Sequence, residues 1–349
     1  MAKSARHLSL VVPGLLGPVD LMDPAQLPSL PSLSLLLRRS KKSLSTDKTL
    51  EALLFSLFQV CGYDEHLPVA PLTYRVDAEA GFSGWCMRAD PVYMVAGQNS
   101  LRVMASGAAM QLTEAEAEAI GRSLNQHFAP QGVRFETPDA HRWYCFSEQH
   151  QQLLTTSLRQ VQGRPVQALL PAGEDGVFWN GILAEAQMLL HQHEVNQVRA
   201  QKGLPQMNSL WLWGQGEVPS VASNNWEQVW ANEPLAVSLA HATSVASASP
   251  PETASDWLAQ AEEGNHLLIL EHLIPALPDL SQDMWSHFSE AVELLWLQPL
   301  LRALQQKQLG SLSLYPEDGH VYQLTRTGVR RFWQRPLSLL CQLQQSDYE

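Results

Sequence analysis

Residues 208–219 read Asn-Ser-Leu-Trp-Leu-Trp-Gly-Gln-Gly-Glu-Val-Pro, and this is the most informative stretch of the chain. An apolar run with two tryptophans leads into Gly-x-Gly and then into a proline. The pattern is typical of a buried strand, here 210–213, that brings the backbone to a tight exposed loop. Gly214 and Gly216 allow turn geometry and close approach of a ligand. We therefore predict a strand followed by a loop that either binds a ligand or only ends the strand.

The composition predicts a folded, acidic protein. The chain has 349 residues, of which 45% are hydrophobic and 11 are tryptophans. This apolar content predicts a substantial core, in one large domain with an insertion or in two domains. The formal net charge is −12. Phosphate backbones and anionic lipids repel an acidic chain, so we expect neither nucleic acid nor a membrane surface as a partner.

The cysteines and the N-terminal apolar run bear on the cellular compartment. Four widely spaced cysteines form no C-x-x-C pair, which predicts reduced, mostly buried thiols rather than a zinc site or a disulfide framework. The run 8–16 contains Pro13 and Gly14 and lacks a small-residue cleavage site, so we predict a first core strand instead of a signal peptide. No apolar run approaches the length that spans a membrane. These features predict a cytoplasmic protein.

Hydrophobic spacing and turn residues predict strands and helices along the chain. The predicted strands are 7–12, 87–96, 100–104, 133–137, 142–146, 210–213, 266–270, 311–315 and 321–324. The predicted helices are 49–60, 113–128, 177–202 and 282–306, and 242–254 is a predicted flexible linker. Strands alternate with helices at both ends, whereas the middle is richer in antiparallel pairs. This order predicts an α/β core that carries an α+β insertion.

Two local signals fix element boundaries. Thr113 followed by Glu116 is a capping box, which predicts a helix start at that point. The Asp-Gly pair at 318–319 is a hairpin signal, which joins the last two predicted strands.

The region 188–216 resembles a known family. Residues 188–199 read Met-Leu-Leu-His-Gln-His-Glu-Val-Asn-Gln-Val-Arg, Gly203 follows, and 208–216 complete the pattern. This pattern is similar to the RpfE-type regulatory proteins of bacteria, and the similarity extends over nearly the whole chain. The resemblance implies a regulatory role.

A weaker resemblance, carried by order and spacing, points to the archaeal-type, cofactor-independent phosphoglycerate mutases. The matching segments are 11–17, 30–33, 61–64, 87–90 and 141–143. Those mutases belong to the alkaline-phosphatase-like fold. The resemblance therefore implies a core sheet flanked by helices, formed by 1–76 and 177–349. It also implies an α+β insertion domain at 77–176.

The chain departs from the mutases at the positions that carry their chemistry. Active members resemble two-metal enzymes, in which Asp and His ligands hold cations beside a Ser or Thr nucleophile. Pro13 stands where the family has the metal-binding Asp of the first strand, and Leu53 lies on an apolar helix where Gly-Ser-Asp is expected. Only Glu271 and His272 follow the strand 266–270. We therefore assign no catalytic residue, no metal ligand and no cofactor.

The resemblance brings the region 188–216 close to the mutase phosphate pocket, which implies an anion-binding or ligand-binding remnant. Its candidate residues are Arg88, Asn196, Arg199, Asn208, Gly214 and Gly216. In the alternative interpretation, these polar side chains form a buried network that fixes the helix against the Gly214 loop. Arg88 then pairs with Asp90 within the protein.

Three functional hypotheses follow. The first is a catalytically degenerate mutase-like protein, not an enzyme, with a regulatory or interaction role and an unknown protein partner. The second is a mutase or phosphatase that uses Mn²⁺ or Zn²⁺. It would draw its ligands from Asp20, Asp64, Asp318 and His320. The third is a non-catalytic sensor that binds a phosphorylated small molecule through Arg88, Arg199 and the Gly214 loop.

Overall fold

The computed structural model describes residues 5–17, 27–45, 47, 49–63, 66–97, 100–222, 224–271 and 281–331. The chain divides into two compact units. The first unit consists of residues 1–59 and 221–349, and the second consists of 60–220.

The described residues form strands and helices along both units. The strands are β1 (Arg6–Val11), β2 (Lys41–Leu44), β3 (Val60–Cys61), β4 (Trp85–Ala96), β5 (Leu101–Ser106), β6 (Val133–Glu136), β7 (Tyr144–Ser147), β8 (Ser209–Glu217), β9 (Ser220–Val221), β10 (Trp226–Trp230), β11 (Ala246–Ala248), β12 (Asn265–Ile269), β13 (Leu309–Tyr315) and β14 (His320–Thr325). The helices are α1 (Pro31–Arg39), α2 (Leu50–Leu57), α3 (Val69–Asp77), α4 (Glu114–Phe128), α5 (Leu158–Val161), α6 (Gly176–Gln192), α7 (Glu194–Gln201), α8 (Pro234–Ala242), α9 (Ala254–Gln260), α10 (Gln282–Val292) and α11 (Gln298–Gln305).

The first unit is built on a seven-stranded sheet in the order β11-β10-β12-β1-β13-β14-β2. β11, β10, β12, β1 and β13 are parallel to one another. β14 pairs antiparallel with β13, and β2 pairs antiparallel with β14. Leucines of β1, β13 and β14 pack on one face against α1, α9, α10 and α11. On the side of β10, α8 contacts both β10 and α2. This mixed sheet flanked by helices confirms the predicted α/β core.

A π-helical turn interrupts the predicted helix 282–306. The turn spans Glu293–Leu297 between α10 and α11. It turns Glu293 inward, where the carboxylate accepts the backbone N–H groups of Ser32 at 2.6 Å and Leu33 at 2.9 Å. These two groups are unsatisfied donors at the first turn of α1, so a buried carboxylate caps that helix.

The second unit contains an antiparallel sheet in which β4 lies between β8 and its other partners, β5 and β7. β6 extends the sheet by pairing with β7, and α4 and α6 contribute to the core behind it. The unit starts earlier and ends later than the predicted insertion 77–176. β8 pairs with β4 along nearly its whole length, which joins residues 177–220 to the insertion instead of the core.

Three predicted local features are wrong. The helix 177–202 is two helices, because His193 leaves the helical conformation and its Nδ1 accepts the N–H of Val195 at the start of α7. The loop at Gly214 and Gly216 is part of β8. The linker 242–254 contains β11 and ends at Thr253, which caps α9.

Candidate functional site

Five parallel strands of the first unit end at one edge of the sheet, which is where ligands bind in open α/β sheets. At this edge β1 is followed by residues 12–14, Val-Pro-Gly, whose side chains offer no oxygen or nitrogen ligand. β10 is followed by 231–233, which includes Glu233, and β12 leads to Glu271. The turn after β13 carries Asp318. The described ionisable side chains of this edge are therefore mainly carboxylates.

Two of these carboxylates are used at the N-terminus of α8. Glu271 Oε1 accepts the backbone N–H groups of Asn232 at 2.6 Å and Glu233 at 2.5 Å. Glu233 Oε2 in turn accepts the N–H of Ala236 at 2.6 Å and caps the helix. A carboxylate is favourable at this end of a helix because the first N–H groups lack intrahelical acceptors. Both side chains therefore supply acceptors for the first N–H groups of α8.

Glu233 changes its charge near neutral pH. Burial raises the pKa of its carboxyl group to about 7, and the charges of Glu271 and Glu51 act in the same direction. The N–H groups of Ala236 and Leu235 oppose the rise in pKa. Folding therefore favours the protonated form of Glu233.

We expect Glu233→Gln to stabilise the protein at alkaline pH. The folded state holds a proton on Glu233 that the unfolded chain releases above its ordinary pKa of 4.5. Stability present below that pKa is therefore lost as the pH rises through about 7. Gln keeps an oxygen for Ala236 and cannot ionise. The free energy of unfolding should therefore rise by about 1–3 kcal/mol at pH ~8 and change little at pH ~4.5. Urea unfolding at both pH values measures it.

The control for this prediction is Glu263→Gln, which removes an exposed carboxylate of the same unit. The control is expected to follow the wild type at both pH values. Equal stability of Glu233→Gln and wild type across the range would contradict the assigned titration.

The Asp318–His320 pair is held within its own hairpin. Asp318 Oδ1 accepts the N–H of His320 at 2.9 Å, and Asp318 Oδ2 accepts the hydroxyl of Tyr322 at 2.9 Å. His320 Nδ1 lies 3.4 Å from Asp318 Oδ2. Burial and the Asp318 charge raise the pKa of Tyr322, which keeps its hydroxyl a donor to the carboxylate. These contacts fix the turn between β13 and β14.

The described side chains of this edge do not fit a two-metal centre. Within the described ranges, no group of three or more His, Cys, Asp or Glu side chains is arranged to hold a metal ion. Backbone N–H groups already bind Glu271, and Asp318 is bound within its hairpin. No phosphoryl-transfer step can be derived from these groups. Asp20, Asp64 and His272 lie outside the described residues, so the ligand set of the enzyme hypothesis stays a prediction.

Arg88 forms a buried ion pair in the second unit. Its guanidinium donates to Asp90 Oδ1 from Nε at 2.9 Å and from Nη2 at 2.6 Å. The side chains of Arg88 and Asp90 are 7% and 1% exposed. The guanidinium also lies over the rings of Tyr144 and Trp213, 5.4 and 5.3 Å from their centroids. Asp90 accepts the indole N–H of Trp213 at 2.7 Å.

The polar residues of the 188–216 region bind the backbone. Asn196 donates to the carbonyls of Leu190 and Met207 and accepts the Met207 N–H. Asn208 exchanges two hydrogen bonds with the backbone of Met94. Arg199 is fully buried. It donates to the carbonyls of Pro205, Gln111 and Met110 and to the carboxylate of Glu116.

The two glycines of β8 allow close packing against the start of α3. Gly214 has φ +64°, and a Cβ there would lie 3.1 Å from Val69 Cβ. Gly216 has φ +149°, and a Cβ there would lie 2.7 Å from Pro68 Cβ. Both positions therefore exclude a side chain because Val69 and Pro68 pack against them, and this packing explains the glycines without a ligand.

The six candidate residues share one unit but not one site. Arg88 is bound to Asp90, whereas Arg199 is bound to carbonyls and to Glu116. Among the residues described, these two arginines have no common partner. The Arg88–Asp90 pair is the intramolecular pair of the alternative interpretation, whereas the hydrogen bonds of Asn196 and Arg199 go to groups other than the Gly214 loop. Anion binding by these residues stays a prediction.

Comparison with known proteins agrees with the mutase resemblance. No family model matches the chain. The 2,3-bisphosphoglycerate-independent phosphoglycerate mutase of Methanosarcina acetivorans is 29% identical over 167 residues, which are 46% of this chain and 41% of the mutase. The chain is a distant homologue of the archaeal-type, cofactor-independent phosphoglycerate mutases. It matches only about two fifths of the length of these relatives.

Two solved structures align with most of this chain. The PH0037 protein of Pyrococcus horikoshii aligns over 92% of this chain and 88% of its own, with a TM-score of 0.52 and 10% identity. A cofactor-independent phosphoglycerate mutase of Thermoplasma acidophilum aligns over 92% of this chain and 90% of its own, with a TM-score of 0.42 and 15% identity. The predicted α/β fold, a central sheet flanked by helices, is confirmed. None of the described helices is both long and apolar enough to cross a membrane.

A polar stripe on the first unit's sheet is not among the predicted candidate residues. The stripe consists of His7 and Ser9 on β1, Ser311 and Ser313 on β13, and Gln323 on β14. These residues are paired across the strands: His7 with Ser311, Ser9 with Ser313, and Ser313 with Gln323. The sequence pattern that predicts such a stripe is present, because leucine alternates with histidine and serine in β1 and with serine in β13. Alternation of this kind marks a strand with one face outside the apolar core.

Proposed function

We propose that this chain is a catalytically degenerate, phosphoglycerate-mutase-like protein of the RpfE type with a regulatory or interaction role in the cytoplasm. The observation that carries the proposal is the end of β1, where Val12, Pro13 and Gly14 supply no ligand at the edge that would have to hold metal. The use of Glu271 oxygens by the α8 N-terminus supports it. A two-metal reaction needs free oxygen and nitrogen ligands at this edge.

A coupled assay for interconversion of 3- and 2-phosphoglycerate tests the loss of chemistry. The protein is purified without chelator and supplied with Mn²⁺, and the Methanosarcina acetivorans mutase serves as the active control. We expect no turnover above the rate without protein, while circular dichroism shows folded protein. Turnover that EDTA abolishes would overturn the proposal.

The metal-dependent mutase or phosphatase is the second candidate function. It is favoured by the position of Asp318 and His320 at the sheet edge, 3.4 Å apart. It requires Mn²⁺ or Zn²⁺ held with Asp20 and Asp64. Activity in the same assay that Asp318→Asn removes without loss of stability would favour this candidate.

The regulatory role requires a protein partner, which is unidentified. Reciprocal affinity capture tests this part of the proposal, with the chain and then each captured protein used as bait. A stoichiometric complex recovered in both directions supports the role. Absence of any such complex would count against it.

A further inference from the structure

β2 is an edge strand of the first unit's sheet. Among the described strands it pairs with β14 alone. The backbone N–H of Ser45, which follows β2, donates to the Gly319 carbonyl at 2.8 Å. In an antiparallel ladder every second residue bonds to the neighbouring strand, and the residues between them face away from it. The backbone N–H and C=O groups of Lys42 and Leu44 therefore point outward from the sheet.

Leu44 is an apolar side chain on this open edge. It is 83% exposed, and it lies on the same face of the sheet as Lys42 because side chains two residues apart on a strand point the same way. Lysine on an edge strand protects natural sheets from association with other strands. An exposed leucine on the same edge has the opposite effect, so protection alone does not explain the composition of β2.

The pairing of β2 with β14 brings together cationic side chains from distant parts of the sequence. The four exposed ones, the cationic cluster, are Arg38, Lys41, Lys42 and Arg330. The Arg39 guanidinium donates to the Val329 carbonyl at 2.6 Å, which holds the segment after β14 against the end of α1. Within the described ranges, no ion pair includes a member of this cluster. The edge therefore carries uncompensated positive charge in a chain of net charge −12.

We propose that the β2 edge binds an extended, acidic segment of a protein partner, which adds a strand to the sheet. A peptide supplies acceptors for the outward N–H groups and donors for the outward carbonyls, whereas the phosphates of nucleic acids and lipids supply acceptors only. Asp or Glu side chains of the segment pair with the cationic cluster, and an apolar side chain covers Leu44. A second copy of β2 would place lysine beside lysine, which is unfavourable.

The charges along β2 also set the position of the acidic residues in the bound segment. Asp47 and Asp318 lie at the far end of β2 from the cluster, where they accept the hydroxyls of Ser45 and Tyr322. Like charges on neighbouring strands repel each other. The Asp and Glu side chains of the segment therefore lie beside the first half of β2, and its apolar residue lies beside Leu44.

Docking at the β2 edge rests on the interaction role proposed above, because it specifies the chemistry of the partner. The two proposals fail in different ways. If reciprocal capture recovers a partner that binds Lys41→Glu with Lys42→Glu like the wild type, the edge is not the docking site and the interaction role stands. Mutase turnover would overturn the loss of catalysis without any bearing on the edge.

Selection from a displayed library of random peptides on the full chain tests the proposal, and fluorescence anisotropy measures the affinity of the selected peptides. We expect enrichment of peptides that combine Asp or Glu residues with apolar residues at alternate positions. Their affinity should fall about tenfold or more in Lys41→Glu with Lys42→Glu, because attraction becomes repulsion. Leu44→Pro should have a similar effect, since proline removes an outward N–H and leaves the pairing with β14 intact.

Arg122→Glu with Lys202→Glu is the matched control. It changes the net charge by the same amount on exposed side chains of the second unit, so it should bind like the wild type. Methylation of backbone nitrogens in a selected peptide is the second control. Methyl groups on alternate residues in one register should remove binding and those in the other register should not, because only one set faces β2. Circular dichroism establishes that each variant is folded.

Four outcomes would overturn the proposal. The first is a selection on the folded wild type that enriches no peptide, or peptides without an acidic bias. The second is binding that the double charge reversal and Leu44→Pro leave unchanged. The third is tighter binding of oligothymidylate or phosphatidylglycerol vesicles than of the peptides, which would indicate a polyanion site. The fourth is self-association that Leu44→Pro abolishes, which would assign the edge to a second copy.

Discussion

Asp90→Asn is expected to lower the free energy of unfolding by about 3–5 kcal/mol, the cost of removing one partner from a buried ion pair. The change is nearly isosteric and keeps an oxygen for the indole N–H of Trp213. It removes the negative charge next to Arg88, whose guanidinium stays buried beside Tyr144 and Trp213. An unpaired charge in this environment is much less stable than in water. Urea denaturation followed by circular dichroism measures the loss.

The double variant Arg88→Met with Asp90→Asn is the control. It removes both charges and keeps the acceptor, so we expect it to recover more than half of the stability that Asp90→Asn loses. A single variant within about 0.5 kcal/mol of the wild type would contradict a buried ion pair.

Arg199→Ala is also expected to lower the free energy of unfolding by about 3–5 kcal/mol. The side chain is fully buried. Its loss leaves the carbonyls of Met110, Gln111 and Pro205 without their donor and opens a cavity. Arg199→Lys is expected to recover less than half of the loss, because an ammonium group cannot reproduce the planar fork of donors. Urea denaturation measures both variants.

Arg122→Ala is the matched control for Arg199→Ala. Arg122 lies on α4 in an exposed pair with Glu118, so its loss should cost less than about 1 kcal/mol. Unfolding with and without inorganic phosphate separates a structural role from the sensor hypothesis. If the role of Arg199 is structural, Arg199→Ala lowers the free energy of unfolding by the same amount with and without phosphate. Unchanged stability without phosphate, together with loss of a phosphate-dependent gain, would favour the sensor.

The predicted capping box and hairpin are both present, because their partners lie close together in the chain. Thr113 and Glu116 exchange side-chain and backbone hydrogen bonds at the start of α4. The hairpin after β13 turns at the Asp-Gly pair, with Gly319 at φ +80°. Each feature is decided within four residues, and the chemistry of those residues is sufficient to predict it.

The predicted loop at the glycines of β8 is wrong because the residues that pack against these glycines are distant in the chain. A Gly-x-Gly pair after an apolar run is typical of a turn, and only the approach of Pro68 and Val69 explains both glycines within a strand. The break at His193 has a similar origin. The residue caps α7, and its Nε2 also lies 2.9 Å from the Ser123 hydroxyl on α4.

Hydrophobic period and local turn chemistry act over a few residues, so the sequence alone is sufficient to predict the α/β class and the main strands and helices. The order and spacing of matching segments carried the mutase resemblance. Only the tertiary structure decided which polar groups are already bound. Glu271 binds the N-terminus of α8, which lies 39 residues away in the sequence. Arg199 binds the Met110 carbonyl, 89 residues away, and Glu293 binds the first turn of α1, 261 residues away. A buried charge takes whichever partner packing brings to it, and the pattern of one segment does not contain that partner.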